Sequence, residues 1–178
     1  MKIQNMWNVL VPGLALMTSV ASVFAAETPT SANSASTTIT TAPAGLAFNS
    51  YNLGALFKTG DTLALGPKAA FSTYSENGNS GTGFGLGMEA LVALGSKTFE
   101  SGWVLLPSIE YASASSNGKS VGGMTIGADI GYWWFMKSGF NVGVGAGAQY
   151  VSLNFEDIGL GSIGGVIPSL MSKVGYSF

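Results

Sequence analysis

The positions of apolar residues along the chain recur every second residue, not every third or fourth. From Phe140 the run FNVGVGAGAQY places Phe140, Val142, Val144, Ala146, Ala148 and Tyr150 on one face. The other face carries Asn141, Gly143, Gly145, Gly147 and Gln149. Side chains of an extended strand point alternately to opposite sides, so this is the pattern of a strand with one apolar face. Thr82 to Leu94 behaves alike, with Phe84, Leu86, Met88, Ala90, Val92 and Leu94 opposed by Gly83, Gly85, Gly87 and Glu89, and with Leu91 and Ala93 blurring the contrast. Met124 to Trp134, Leu63 to Phe71 and Trp103 to Tyr111 repeat the design. Their second faces carry Asp129 and Trp133, Lys68, and Glu110 respectively.

Turn-forming residues divide the chain into seven such segments: Leu46 to Phe57, Thr62 to Tyr74, Thr82 to Leu94, Gly102 to Ser113, Ser120 to Phe135, Gly139 to Ser152, and Gly164 to Phe178. In a soluble sandwich the second face would be charged and solvated. Here it is mostly Gly, Ala and Ser with isolated ions, while the first face ends in aromatics. Strands of about ten residues or more with aromatic ends and a small-residue inner face are what a transmembrane β-barrel requires. The expected fold is therefore all-β, an antiparallel up-and-down transmembrane barrel. The aromatic residues Trp103, Tyr132, Trp134, Phe140 and Tyr150 are expected to form its interfacial girdle. Trp133 and Phe135, beside the turn at Lys137, are read with the same girdle rather than as a ligand box.

An up-and-down barrel of this type has an even number of strands, so one more is needed. The favoured place is the Thr-rich stretch from Ser34 to Ala42, and the alternative is the segment between Leu153 and Ile163. The short connections at Lys58 to Asp61, Ser96 to Ser101 and Met136 to Ser138 alternate with those at Ser75 to Gly81, Ala114 to Lys119 and Leu153 to Ile163. If Phe178 ends on the periplasmic side, the first set is periplasmic and the second extracellular.

Composition narrows the chemistry. The 178 residues include 7 Lys and no Arg, 9 acids, no His and no Cys, with a net charge of −2. Mean hydropathy is +0.37. A chain without His or Cys has no His-based triad, no Cys nucleophile, no thiolate or imidazole metal site and no disulfide. Without Arg or a basic face it offers nothing to nucleic acid. No cofactor is expected. The fragment Gly81-Thr82-Gly83-Phe84-Gly85 opens a strand where a nucleotide fingerprint would open a helix. Glu156-Asp157 is read as a solvated loop pair before a cation site.

The first 25 residues carry Lys2, an apolar stretch from Val9 to Phe24 and small residues to Ala25 and Ala26, the pattern of a cleaved secretory signal. Residues 26–45 form a Ser/Thr/Ala-rich leader and the possible weak first strand; 46–178 form the barrel. No apolar run beyond the signal reaches the length of a membrane-spanning helix.

Chemistry-bearing side chains gather only on the inner faces. Lys68, Glu89, Glu110, Asp129 and Lys173 are expected to form a lumen ion network in a space that eight strands leave just wide enough for side chains. An acid/base or cation site at Glu110 and Asp129 is the less favoured reading.

The chain's end, Val174-Gly175-Tyr176-Ser177-Phe178, resembles the C-terminal signature strand of bacterial outer-membrane barrels. That resemblance implies recognition of Val174, Tyr176 and Phe178 by the outer-membrane assembly machinery. Asn52-Leu53-Gly54, Gly131-Tyr132-Trp133-Trp134 before a tight turn, and Gly143-Val144-Gly145-Ala146-Gly147 together resemble the small OmpX- and OmpW-like barrels. Within that group the chain is most similar to a barrel domain family of unknown function. The likeness covers Leu46 to Phe178 and implies an outer-membrane location after export through the periplasm, but no catalytic residue.

The functional expectation is a non-enzymatic, monomeric barrel surrounded by outer-membrane lipids and lipopolysaccharide, acting structurally or through its extracellular loops on a protein ligand. A narrow channel for small or apolar solutes is the alternative, and an enzyme of membrane lipids ranks third.

Overall fold

A computed structural model describes residues 35–76, 79–116, 119–154 and 162–178. The expected signal and most of the leader, and the Glu156-Asp157 pair, lie outside the described residues. Eight strands follow one another: β1 (Thr37–Thr41), β2 (Ser50–Lys58), β3 (Leu63–Glu76), β4 (Asn79–Leu94), β5 (Gly102–Ser116), β6 (Lys119–Phe135), β7 (Phe140–Asn154) and β8 (Ser162–Ser177). Each pairs antiparallel with its chain neighbours, and β1 pairs with β8 to close the barrel. The fold is thus all-β, a closed antiparallel up-and-down barrel of eight strands.

The eighth strand is the N-terminal one. Thr37–Thr41 has little apolar surface, yet its β-branched residues suit an extended backbone, and Thr38 and Thr40 are buried on its inner side. Thr38 Oγ1 lies 2.5 Å from Ser177 Oγ across the seam. The alternative placement between Leu153 and Ile163 is excluded by β7 and β8 pairing directly, from Phe140 opposite Tyr176 to Asn154 opposite Ser162.

The segment expected to begin a strand at Leu46 begins it later. Pro43–Phe48 forms a short 3-10 turn, with the Gly45 N–H donating to Ala42 O at 3.0 Å and the Asn49 N–H to Leu46 O at 3.2 Å. Proline suits the start of a helical turn because its φ is already set and it has no N–H to place. Asn49, at φ +52, reverses the chain into β2.

One end of the barrel carries both ends of the described barrel chain and the short connections between β2 and β3, β4 and β5, and β6 and β7. The Ser36 and Thr37 N–H groups donate to Phe178 O, the Lys58 N–H to Ser36 O and the Ser177 N–H to Gly139 O. The β4–β5 connection is bound to the β2–β3 turn by the Thr98 N–H to Asp61 O at 2.7 Å and by Thr98 Oγ1 to Gly60 O at 2.9 Å. This turn end holds the buried core: Leu56, Leu91, Val104, Leu106, Trp133, Phe135, Met171 and, from the β4–β5 connection itself, Phe99.

Candidate functional site

The lumen is built from large side chains laid over glycines. Lys68, Gly87 and Glu110 stand opposite one another on β3, β4 and β5. Because the middle position has no side chain, Lys68 Nζ reaches Glu110 Oε2 at 2.9 Å across it. A Cβ on Gly87 would collide with the Ile109 carbonyl and come within 3.0 Å of the Glu110 Cβ. The same arrangement recurs with Asp129, Gly147 and Ser169 on β6, β7 and β8, where the Ser169 hydroxyl donates to Asp129 Oδ1 over the glycine. Trp133, Gly143 and Lys173 form a third such row. There the indole lies over Gly143, whose Cβ would sit 3.0 Å from it.

Lys173 does not pair within its row. Its ammonium crosses the lumen to Glu89 on β4, 2.8 Å from each carboxylate oxygen. In a ring of eight strands β4 and β8 face one another, so this bridge spans the barrel's interior. Asp129 has Ser169 as its partner, and among the described residues no lysine pairs with it.

Below the ions the turn end is packed with rings. Trp133 and Phe135 stack with centroids 5.4 Å apart, and Phe99 packs on Phe135 at 5.7 Å. All three are at most 1% exposed. A polar strip runs alongside: Trp133 Nε1 donates to Asn141 Oδ1 at 3.1 Å, and Asn141 Nδ2 donates to Ser177 Oγ at 2.8 Å. Ser177 then meets Thr38. Buried polar groups must be paired or they cost stability, and this strip pairs them across β6, β7, β8 and β1.

The outer surface is the reverse of a soluble protein's. Leu53, Leu86, Met88, Ile109, Ile126, Ile130 and Leu170 are exposed around the wall. Toward the turn end stand Trp103, Tyr132, Trp134, Phe140 and Tyr176, with Trp103 edge-on to Tyr132 at 5.9 Å and Tyr132 4.9 Å from Trp134. Toward the other end stand Tyr51, Phe71, Phe84, Tyr111 and Tyr150.

The structure brings Lys68 to Glu110, Lys173 to Glu89 and Asp129 to Ser169, all inside the barrel. It does not join Glu110 and Asp129. Trp103, Tyr132, Trp134 and Phe140 sit outside near the turns, and Tyr150 sits outside at the far end. Val174 and Tyr176 lie on the outer side of β8 opposite Thr41 and Ile39, and the Phe178 backbone bonds to Thr37. Trp133 stands on the inner face where the alternation placed it, and the grouping of Trp133 and Phe135 with the girdle is corrected: both point inward and pack with Phe99, because β6 alternates Tyr132 and Trp134 outward against them. Sequence reasoning missed Phe99, which reaches the core from a turn where no periodicity operates, and Asn141, whose role appears only with its three neighbours in place. Among the described residues no three carboxylates gather to hold a metal ion, and no helix is long and apolar enough to cross a membrane.

No protein-family model matches the chain, and the comparisons with curated proteins and with solved structures returned no match.

Proposed function

We propose that the chain is a non-enzymatic outer-membrane β-barrel in which the barrel is a sealed anchor and the activity resides in the loops at the end away from the termini. The observation that carries this reading is the filled lumen: the Lys173–Glu89 bridge crosses it, and Trp133, Phe135 and Phe99 close the turn end beneath. An eight-stranded barrel has room for little more than its own side chains. Opening it would separate ions that are expensive to leave unpaired.

The apolar exterior with aromatic residues at both ends supports the membrane setting, since soluble monomers rarely expose so continuous an apolar surface. In that setting the outer-membrane lipids and lipopolysaccharide surround the wall. The assembly machinery reads Val174, Tyr176 and Phe178, and the loops between β3 and β4, β5 and β6, and β7 and β8 meet an extracellular protein ligand. The barrel acts as a monomer.

Planar-bilayer recording of the refolded chain from Ala26 onward tests the proposal. The expected result is no steady conductance. A reproducible conductance that changes with Asp129→Asn or Lys173→Met would overturn the anchor reading in favour of a channel.

A further inference from the structure

Exposure inside the barrel rises from one end to the other. At the turn end Trp133, Phe135 and Phe99 are at most 1% exposed. The side chains of Lys173 and Glu89 beyond them are 15% and 8% exposed, and those of Lys68 and Glu110 20% and 19%. Ile167, further along the inner face of β8, is 49% exposed. Water therefore enters from the far end, and the inside of the barrel is a blind cup with the ions at its floor.

That floor has one negative charge in excess. Lys68 is bound to Glu110 and Lys173 to Glu89, so each lysine of the described lumen already has a carboxylate. Asp129 is the third acid there, and its partner is the Ser169 hydroxyl, which donates to Oδ1. Donation to a carboxylate favours its ionised form, and a charge withdrawn from bulk water is costly until an opposite charge joins it.

The wall beside Asp129 is of another kind. Its carboxylate reaches over Gly147 to Ser169, and the next inward residues of β8 toward the cup's mouth are Ile167 and Gly165. Gly127, Gln149 and Ile167 stand opposite one another on β6, β7 and β8, followed by Thr125, Val151 and Gly165. The Gln149 stem lies over Gly127, whose Cβ would sit 2.6 Å from it, whereas a Cβ on Gly165 would meet no atom within 4 Å. The sector thus offers one unmatched carboxylate at its base, an amide and a hydroxyl beside it, and aliphatic surface with room in front of it.

We infer that the cup binds a small primary alkylammonium, with its nitrogen on Asp129 and its chain along Ile167 and Val151. Three other cations fit less well. Calcium and magnesium take several oxygen ligands with carboxylates among them, and among the described residues no three acids gather. An alkali ion would match the charge of Asp129 but leave Ile167 in water. A quaternary ammonium has no N–H to give the carboxylate or the Gln149 amide oxygen. A primary alkylammonium meets both halves of the sector, an apolar surface with a few polar groups to fix orientation. The inference goes beyond the anchor reading and needs the packed turn end, not the membrane setting.

The aspartates of the chain are Asp61, Asp129 and Asp157, so the refolded chain labelled at the aspartate carboxyl carbon gives one NMR signal for each. Asp129→Asn identifies the signal of interest by its loss, and Ser169→Ala, which removes the hydrogen bond to Asp129, marks the same signal by a shift should Asp129→Asn fail to fold. At neutral pH, n-butylammonium chloride should move the Asp129 signal along a saturating curve and leave Asp61, on an exposed turn, in place. Potassium and tetramethylammonium chlorides at equal concentration should move it much less. Ile167→Ser, which keeps the carboxylate and removes aliphatic surface, should raise the half-saturating concentration about fivefold. An Asp129 signal that butylammonium does not move overturns the site, as does equal movement with potassium or equal movement of Asp61. Unchanged half-saturation in folded Ile167→Ser overturns the alkyl half of the ligand.

Discussion

Lys173 of β8 and Glu89 of β4 meet across the full width of the lumen, the ammonium 2.8 Å from both carboxylate oxygens. Both side chains are largely withdrawn from water, Glu89 the more so. A bidentate pair in such a place fixes geometry more surely than it adds stability, because much of its attraction is offset by lost hydration. Removing one partner is the costly change. Lys173→Met, which leaves Glu89 charged and alone, should lose about 3 kcal/mol in urea unfolding followed by tryptophan fluorescence, and Lys173→Met with Glu89→Leu should recover most of that loss. Additive losses in the double variant would show that the two groups do not act as a pair.

The glycines of the inner wall make a second, sharper test, because two of them have opposite surroundings. Gly87 lies between Lys68 and Glu110, and a methyl there meets the Ile109 carbonyl and the Glu110 stem. Gly165 faces open space. Gly87→Ala should therefore cost about 1–3 kcal/mol through overpacking, while Gly165→Ala should be neutral or slightly stabilising through reduced freedom of the unfolded chain. Equal effects in the same unfolding assay would mean that the Lys68–Glu110 bridge does not depend on the missing side chain.

The parts of the fold legible in the sequence are those in which inside and outside differ chemically. Phe140 to Tyr150 alternates large apolar residues with Gly, Asn and Gln, and β7 forms there with its large residues outward. Where both faces are apolar the pattern loses its sense of direction. Tyr132-Trp133-Trp134-Phe135 reads as one aromatic patch, yet its alternate members divide between the wall's exterior and the plug. Inward charges could be placed on the inner face, but not paired, since Lys68 with Glu110 and Lys173 with Glu89 are set by strand neighbourhood and barrel closure. The 3-10 turn at Pro43 was hidden for a different reason: Leu46 to Phe57 contains enough apolar residues to suggest a longer strand, and Pro43 and Asn49 override them through backbone geometry.

Phe99 is the residue that most directly links strain to closure. It is a bulky residue at φ +63, a backbone region that such residues rarely adopt, and it is wholly buried against Phe135. The buried ring outweighs the unfavourable backbone. Phe99→Ala should destabilise the barrel by about 3–5 kcal/mol, as expected for deleting a buried ring. Trp103→Ala, removing an exposed ring from the outer wall, should cost much less in detergent solution. A small cost at Phe99, measured by the same urea titration, would show that the β4–β5 connection is not part of the seal.

Phe178 tests the seam between β1 and β8, and its backbone and its ring can be separated. Its carbonyl accepts from the Ser36 and Thr37 N–H groups at 3.0 and 3.1 Å, and its own N–H donates to Thr37 O at 3.0 Å. Deleting the residue removes all three bonds from a seam only four strand pairs long. It also frees the residue before it, Ser177, which is 5% exposed and hydrogen-bonded to Asn141 and Thr38. Phe178→Ala keeps the backbone bonds where they are. For protein refolded into detergent, deletion should abolish the heat-modifiable gel migration that marks a closed barrel, and Phe178→Ala should leave it nearly intact. On the proposal that assembly machinery reads the Phe178 ring, the order of severity should narrow in cells, because that ring is lost in both variants. Equal folding of the two variants in detergent would mean that the seam is held elsewhere, with the Thr38–Ser177–Asn141 strip as the remaining support.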